Sequence, residues 1–210
     1  MHVLNCDFIL ASQSPRRKML LQQHGFQFEV VPPDESVEQA VMDRGLCSNC
    51  SPEELVLESA FVKARAIANT INNGLVLAAD TVAECDGQIL GKPTDRDHAE
   101  RMLRLMSGKQ HRVLTGVCLW HQPSNQNLAK IEHTVLKMDP LSEAQLTEML
   151  DSDGWVGKAG GFGFQDGLDW LHITTGLETN VVGLPVERLP SWIKELESKV
   201  GASLIVNPPT

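Results

Sequence analysis

Three cations, Arg16, Arg17 and Lys18, stand directly after the turn Ser12-Gln-Ser-Pro15, and that turn ends an apolar run, Phe8-Ile-Leu-Ala11. A strand, a short turn and a helix N-terminus gather free backbone N–H groups and the positive end of a helix dipole in one place, which makes an anion site. Basic residues in a first helical turn oppose that dipole, at a cost of about a few tenths of a kcal/mol each. A bound phosphate chain gives the cost a reason: Ser12 and Ser14 as hydroxyl donors, Arg16 and Arg17 as clamps on phosphate oxygens. A solvated basic turn is the plain alternative.

Four further stretches carry chemistry. In Leu77-Ala-Ala-Asp80-Thr81 a carboxylate interrupts an apolar strand, where a charge is costly unless it is used. Asp80 there suits a metal ligand or a general base, or the cap of a turn. Glu84 falls on the same face of that strand, as a second acidic group or an exposed one. Gly91-Lys92-Pro93 presents a lysine rigidly before a helix, and lysine binds phosphate as a point charge. Lys63 sits among Ala60, Ala64 and Ala66 on a helix, where a lysine either snorkels or is put to use. The stretch 157–167, GKAGGFGFQDG, lets backbone approach a ligand closely, and the amide of Gln165 can read a base edge.

Other candidates carry less. Cys47-Ser-Asn-Cys50 is a CxxC without a second pair, so it reads as a loop. Asp151-Ser-Asp-Gly154 starts like a calcium loop but lacks the later ligands. His111 has no nucleophile motif around it, and no GxxxxGK[ST] is present, which argues against a P-loop ATPase.

The elements that must position these residues follow from periodicity and punctuation. Strands are expected at 3–11, 26–31, 75–84, 111–121, 129–138 and 168–174, with Asp86-Gly87 turning a hairpin into Gln88-Ile-Leu90. Helices are expected from Pro15 to Gly25, from the Ser51–Glu54 capping box to about Ile71, after Thr94 as N-cap, from Ser142 to Leu150 and over 185–198. On the second helix Leu55, Ala60, Ala64, Ile67 and Ala68 face inward, and residues 32–51 read as a long loop. Helices alternate with strands and hairpins are inserted, so the fold class is α/β with a mixed sheet.

Bulk properties set bounds. The 210 residues fit one domain spanning 1–210, long enough to bury a core without staples. A net charge of −9 argues against a nucleic-acid polymer as partner, so cations for an anionic substrate must be concentrated locally. No apolar run reaches the ~20 residues of a membrane span, and the first residues lack the features of a signal peptide. With five scattered cysteines, a reducing cytoplasm is expected.

Taken in order, LASQSPRR (10–17), DES (34–36), FVKARAIA (61–68), AADT (78–81), ILGKP (89–93), SGKQHRVLTGV (107–117), GKAGGFGFQ (157–165) and NVVGLPVERL (180–189) resemble the Maf family of nucleoside triphosphate pyrophosphatases. The likeness runs from about residue 8 to 195. It implies an α/β fold with an elongated mixed sheet, flanking helices and a cleft between two lobes, as in inosine triphosphatase-like proteins. It implies cleavage of the α–β phosphoanhydride to a monophosphate and pyrophosphate with Mg²⁺ or Mn²⁺, and a homodimer, as in many members. By matching motif, Ser12, Arg16 and Arg17 grip the triphosphate. Glu35 and Asp80 form the acidic pair at the metal, with Asp80 as ligand or base. Lys63 and Lys92 stabilise the phosphates and the leaving group, and Gln165 contacts the nucleotide. Thr81 and Gln165 match the branch acting on dTTP and UTP rather than the one preferring 7-methyl-GTP. Asp166-Gly167 after Gln165 and the length of the 44–50 loop depart from the pattern. The rival readings are a nucleotide-binding regulator of cell division without turnover and a pyrophosphatase specific for a purine or methylated nucleotide such as 7-methyl-GTP.

Overall fold

The computed structural model describes residues 8–34, 36–37 and 50–204. Seven strands form one mixed sheet: β1 (Phe8–Leu10), β2 (Phe28–Val30), β3 (Gly74–Cys85), β4 (Gln88–Leu90), β5 (Gln110–Gln122), β6 (Gln126–Met138) and β7 (Leu171–Thr175). The order across the sheet is β2-β1-β3-β5-β6-β7, with β4 beside β3. β1 runs parallel to β2 and β3; the other pairings are antiparallel. This is the α/β mixed sheet that the pattern of elements predicts.

The helix α2 (Pro52–Ala68) packs on one face of the sheet. Its start is the expected capping box: Ser51 Oγ accepts from the Glu54 N–H, while Glu54 Oε2 accepts from the Ser51 N–H at 2.8 Å. It ends at Ala68, three residues short of the sequence expectation. Val56, rather than the half-buried Leu55, is the fully buried residue of its first turns.

The opposite face carries two separate apolar cores. α1 (Pro15–Gln23) and α6 (Leu189–Val200) pack Leu20, Leu21, Leu189, Trp192 and Leu196 onto Leu77 and Leu119. α3 (Arg96–Met106) and α4 (Glu143–Asp151) pack Leu103, Met106, Leu146 and Leu150 onto Val113 and Leu136. Two cores side by side on one sheet leave a junction between them.

The sheet itself has a gap at that junction. β1 holds β3 only as far as Leu77, whose carbonyl takes the Ala11 N–H, and β4 begins its pairing at Ala83. Between these points, among the described residues, no strand pairs with the β1 side of β3, and this edge carries Asp80 and Thr81. β5 supports that stretch from behind, with Asp80 opposite Gly116 and Thr81 opposite Thr115.

Several boundaries differ from the sequence expectation. Asp95, not Thr94, caps α3: its carboxylate accepts the His98 N–H at 2.7 Å. The last helix starts at Leu189, after a 3₁₀ turn at Val186–Arg188. A short helix, α5 (Glu178–Val182), was not expected, because five residues are too few for a 3.6-residue period to show. β7 begins three residues later than expected, and the Gly-rich stretch before it holds 3₁₀ turns at Ala159–Gly161 and Phe164–Asp166.

Candidate active site

A cleft of about 640 Å³ opens at the gap in the sheet, of the size that takes a small-molecule ligand. The loop after β1, the start of α1, the open edge of β3, the Gly91-Lys92-Pro93 turn, the Gly-rich stretch and Gly183 after α5 all reach it. It lies beyond the C-terminal end of β1, where open α/β sheets characteristically hold ligands.

Ser12, Ser14, Arg16, Arg17, Lys63, Asp80, Thr81, Lys92 and Gln165, nine residues singled out from the sequence, all line this cleft. Glu35 lies outside the described residues, as do residues 38–49, Cys47 among them, so the expected loop over 32–51 is described only in part. Among the described lining residues five are cationic, Arg16, Arg17, Lys63, Lys92 and Lys158, against the single carboxylate of Asp80. A chain of net charge −9 thus concentrates positive charge at this one place.

Lys63 is drawn inward rather than snorkelling. It is 5% exposed on α2, and its ammonium donates to Asp80 Oδ1 at 2.9 Å. The approach depends on Gly116. A Cβ at that position would collide with the Val56 carbonyl oxygen and come within 2.5 Å of its carbon. Only a residue without a side chain lets α2 lie this close to the strand behind Asp80.

Arg17 is buried, and its guanidinium is engaged on three sides. Nε donates to the Gly183 carbonyl at 2.8 Å, one terminal nitrogen to Ser12 Oγ at 3.1 Å and the other to Thr81 Oγ1 at 3.1 Å. Ser12 Oγ also accepts the Ser14 N–H. Arg17 therefore fixes the loop after β1 against β3 and α5. Ser14 occupies the N-cap with Pro15 behind it, but its hydroxyl makes no capping bond. Arg16 is half-buried and donates to the Gly157 carbonyl at 3.0 Å. Burial pulls its guanidinium below the usual range, and the carboxylate of Asp166 opposes that shift.

Lys92 is exposed at the rim, and the Gly91 carbonyl before it takes the Gly160 N–H at 3.0 Å. Gln165 is exposed on the second 3₁₀ turn. Glu84 is not part of the site. It bonds Arg112 at 2.8 Å and accepts the Gly87 N–H at the β3–β4 hairpin.

Residues that sequence reasoning missed hold Thr81 from behind. Thr81 and Thr115 share a hydrogen bond of 2.9 Å, and Thr115 donates to the Asn180 carbonyl. The Asn180 amide donates to Thr134 Oγ1 and to the Val113 carbonyl. A signal was present: Thr115 is a polar residue inside an otherwise apolar strand run, and buried hydroxyls need partners.

The likeness to known proteins covers this whole arrangement. The model of the family described as Maf-like protein matches residues 7–196. A protein of Rhodopirellula baltica named dTTP/UTP pyrophosphatase is 50% identical over 91% of this chain and 82% of its own. Proteins of the same name from Salinibacter ruber and Methanosarcina barkeri are 41% and 36% identical, over 89% and 94% of this chain and 89% and 96% of theirs. With the family model spanning every element that lines the cleft, the chain belongs to the Maf-like family.

Proposed function

We propose that the chain hydrolyses the α–β phosphoanhydride of nucleoside triphosphates, dTTP and UTP foremost, giving the monophosphate and pyrophosphate. The observation that carries this reading is the Lys63–Asp80 pair facing the same cleft as Arg16, Arg17 and Lys92. The shared name of the relatives above supports the pyrimidine preference.

A triphosphate carries about four negative charges, and phosphoryl chemistry is catalysed mainly by positioning and by offsetting that charge. Arg16 and Lys92 offer cations near the cleft mouth, and Ser12 and Ser14 offer hydroxyls. Arg17 keeps this loop in place. Lys63 holds Asp80 in orientation, so that its carboxylate is placed to accept a proton from a water approaching the α-phosphorus. Lys92 is placed to stabilise the pyrophosphate as it leaves.

The donor set also fits a divalent cation. Mg²⁺ is typically held by one or two carboxylates together with substrate phosphates, and Asp80 supplies one carboxylate in the cleft. In place of the base role, Asp80 would hold the ion, with Glu35 as the second ligand implied by the family likeness. The ion would neutralise charge on the phosphates as the anhydride breaks.

A panel of dTTP, UTP, CTP, GTP, ATP and 7-methyl-GTP with Mg²⁺ or Mn²⁺ tests the reading, with pyrophosphate and orthophosphate measured separately. Pyrophosphate from dTTP and UTP is expected. Pyrophosphate from 7-methyl-GTP alone would overturn the base preference. Binding of dTTP without turnover would favour a regulatory protein.

A further inference from the structure

Lys158 and Asp166 form an ion pair across the Gly-rich stretch, and nothing in the chemistry above uses it. We propose that this pair is a clasp that fixes Gln165 at the cleft and so sets which nucleobase the enzyme accepts. The proposal rests on the reading of the cleft as a nucleoside triphosphate site.

The segment needs such a restraint. Five of the eleven residues from 157 to 167 are glycine, and Gly157, Gly160, Gly161 and Gly167 all adopt positive φ. A backbone of this composition has the most conformational freedom to lose. Recognition of a base edge, in contrast, requires the reading group to be held to within about 0.5 Å.

The pair has the right placement to supply the restraint. It joins residues eight apart, one at the start of the first 3₁₀ turn and one at the end of the second. Gln165 is the residue immediately before Asp166. The two side chains are 16% and 32% exposed, less than the 48% and 62% of the surface pair Arg96–Asp151. It lies directly over Gly163. A Cβ there would come within 2.5 Å of Asp166 Oδ2 and 2.8 Å of Lys158 Nζ. The second turn is closed beneath it by the Asp166 N–H on the Gly163 carbonyl at 3.1 Å. The first end of the segment is anchored separately, by Arg16 on the Gly157 carbonyl and by Gly160 on Gly91.

Position matters because of what an amide can read. Gln165 offers one acceptor and two donors. That set complements the edge of thymine or uracil, and after a half-turn of the amide it complements cytosine equally well. The side chain alone therefore does not choose; the place at which its mount is fixed does. Asp166 is thus a positioning residue for base selection, acting through Gln165.

The test compares kcat/KM for dTTP and CTP in the wild-type protein, Gln165→Ala, Asp166→Asn, Asp166→Glu and the double variant Gln165→Ala/Asp166→Asn. The proposal expects Gln165→Ala and Asp166→Asn each to reduce the dTTP-over-CTP preference by about tenfold or more, chiefly through KM for dTTP. The double variant should be no worse than Gln165→Ala alone, and Asp166→Glu should restore much of the preference. Thermal unfolding checks that Asp166→Asn is folded, and Asp166→Ser serves as a second disruption of the pair. A preference lost in Gln165→Ala but kept in Asp166→Asn and Asp166→Ser overturns the clasp and leaves the proposed activity standing. So does an equal fall for both nucleotides, as expected if Lys158 and Asp166 only tune charge at the phosphates. A preference that survives Gln165→Ala, or a wild-type enzyme without one, overturns Gln165 as the reader. A wild-type protein that turns over neither nucleotide overturns the underlying activity instead.

Discussion

Lys63 and Asp80 meet at 2.9 Å across two layers of the fold, the lysine from the helix and the carboxylate from the open edge of β3. Their burial is unequal, 6% exposure for the lysine side chain against 24% for the aspartate. Removing one partner therefore differs from removing the other. Asp80→Leu takes a carboxylate partner from a buried ammonium and is expected to lower stability by about 2–3 kcal/mol. Lys63→Met replaces the lysine with an apolar chain of similar length and leaves Asp80 some access to water. Its stability should stay within about 1 kcal/mol of wild type while turnover falls by about a hundredfold or more. Urea unfolding and steady-state turnover on the same preparations separate the two effects.

Gly116 is expected to be as intolerant as a residue of the site. Gly116→Ala forces a methyl into the backbone of Val56 and Leu57, so α2 must move off the sheet and carry Lys63 away from Asp80. A loss of about 2–4 kcal/mol is expected, together with lower kcat, since overpacking against a backbone has no side-chain escape. An unchanged melting temperature would show that α2 does not sit where this packing puts it.

Arg17 should behave as structure as well as site. Arg17→Ala strips partners from Ser12, Thr81 and the Gly183 carbonyl, and a stability loss of about 2–4 kcal/mol is expected. Arg17→Lys should recover little of it, because an ammonium cannot copy a planar fork that engages three groups. The check is denaturant unfolding of both variants beside KM for dTTP.

His111 gives the fold an acid limit. Its ring is 2% exposed, lies edge-on to Phe162 with centroids 5.4 Å apart, and neither nitrogen makes a well-formed hydrogen bond. Burial pushes its pKa from 6.5 down to about 4. The unfolded chain therefore binds a proton more readily than the folded one between those values. The stability associated with the neutral ring is fully present above pH 6.5 and is lost as pH falls toward 4, by about 3 kcal/mol in all. His111→Phe should flatten that part of the stability–pH curve measured by urea unfolding. A curve identical to wild type between pH 4 and 6.5 would remove His111 as its cause.

The parts of the site legible in the sequence were those with local causes. Asp80 and Lys63 stood out because a charge in an apolar strand or helix face must be explained, and the Ser12–Arg17 turn because cations oppose a helix dipole. The capping box at Ser51 and the Asp86-Gly87 hairpin came from short-range rules that the fold keeps, with positive φ at both turn residues. What was not legible was long-range. Nothing near Gly116 in the sequence marks Val56 as the backbone it must admit, 60 residues away. The partners that Arg17 finds at Thr81 and at the Gly183 carbonyl lie on distant segments, the second after a helix too short to detect. Thr94 and Asp95 are both capping types side by side, and the carboxylate that reaches the His98 N–H makes Asp95 the cap.

The most direct test of the proposed activity is pyrophosphate release from dTTP with Mg²⁺, measured in parallel for the wild-type protein and Asp80→Asn. Asparagine keeps an acceptor for Lys63, so both proteins should be folded by melting temperature. Pyrophosphate and dTMP in equal amounts from the wild type, with turnover lowered at least about a thousandfold in Asp80→Asn, is the predicted result. Orthophosphate as the product, or pyrophosphate released equally fast by Asp80→Asn, would contradict it.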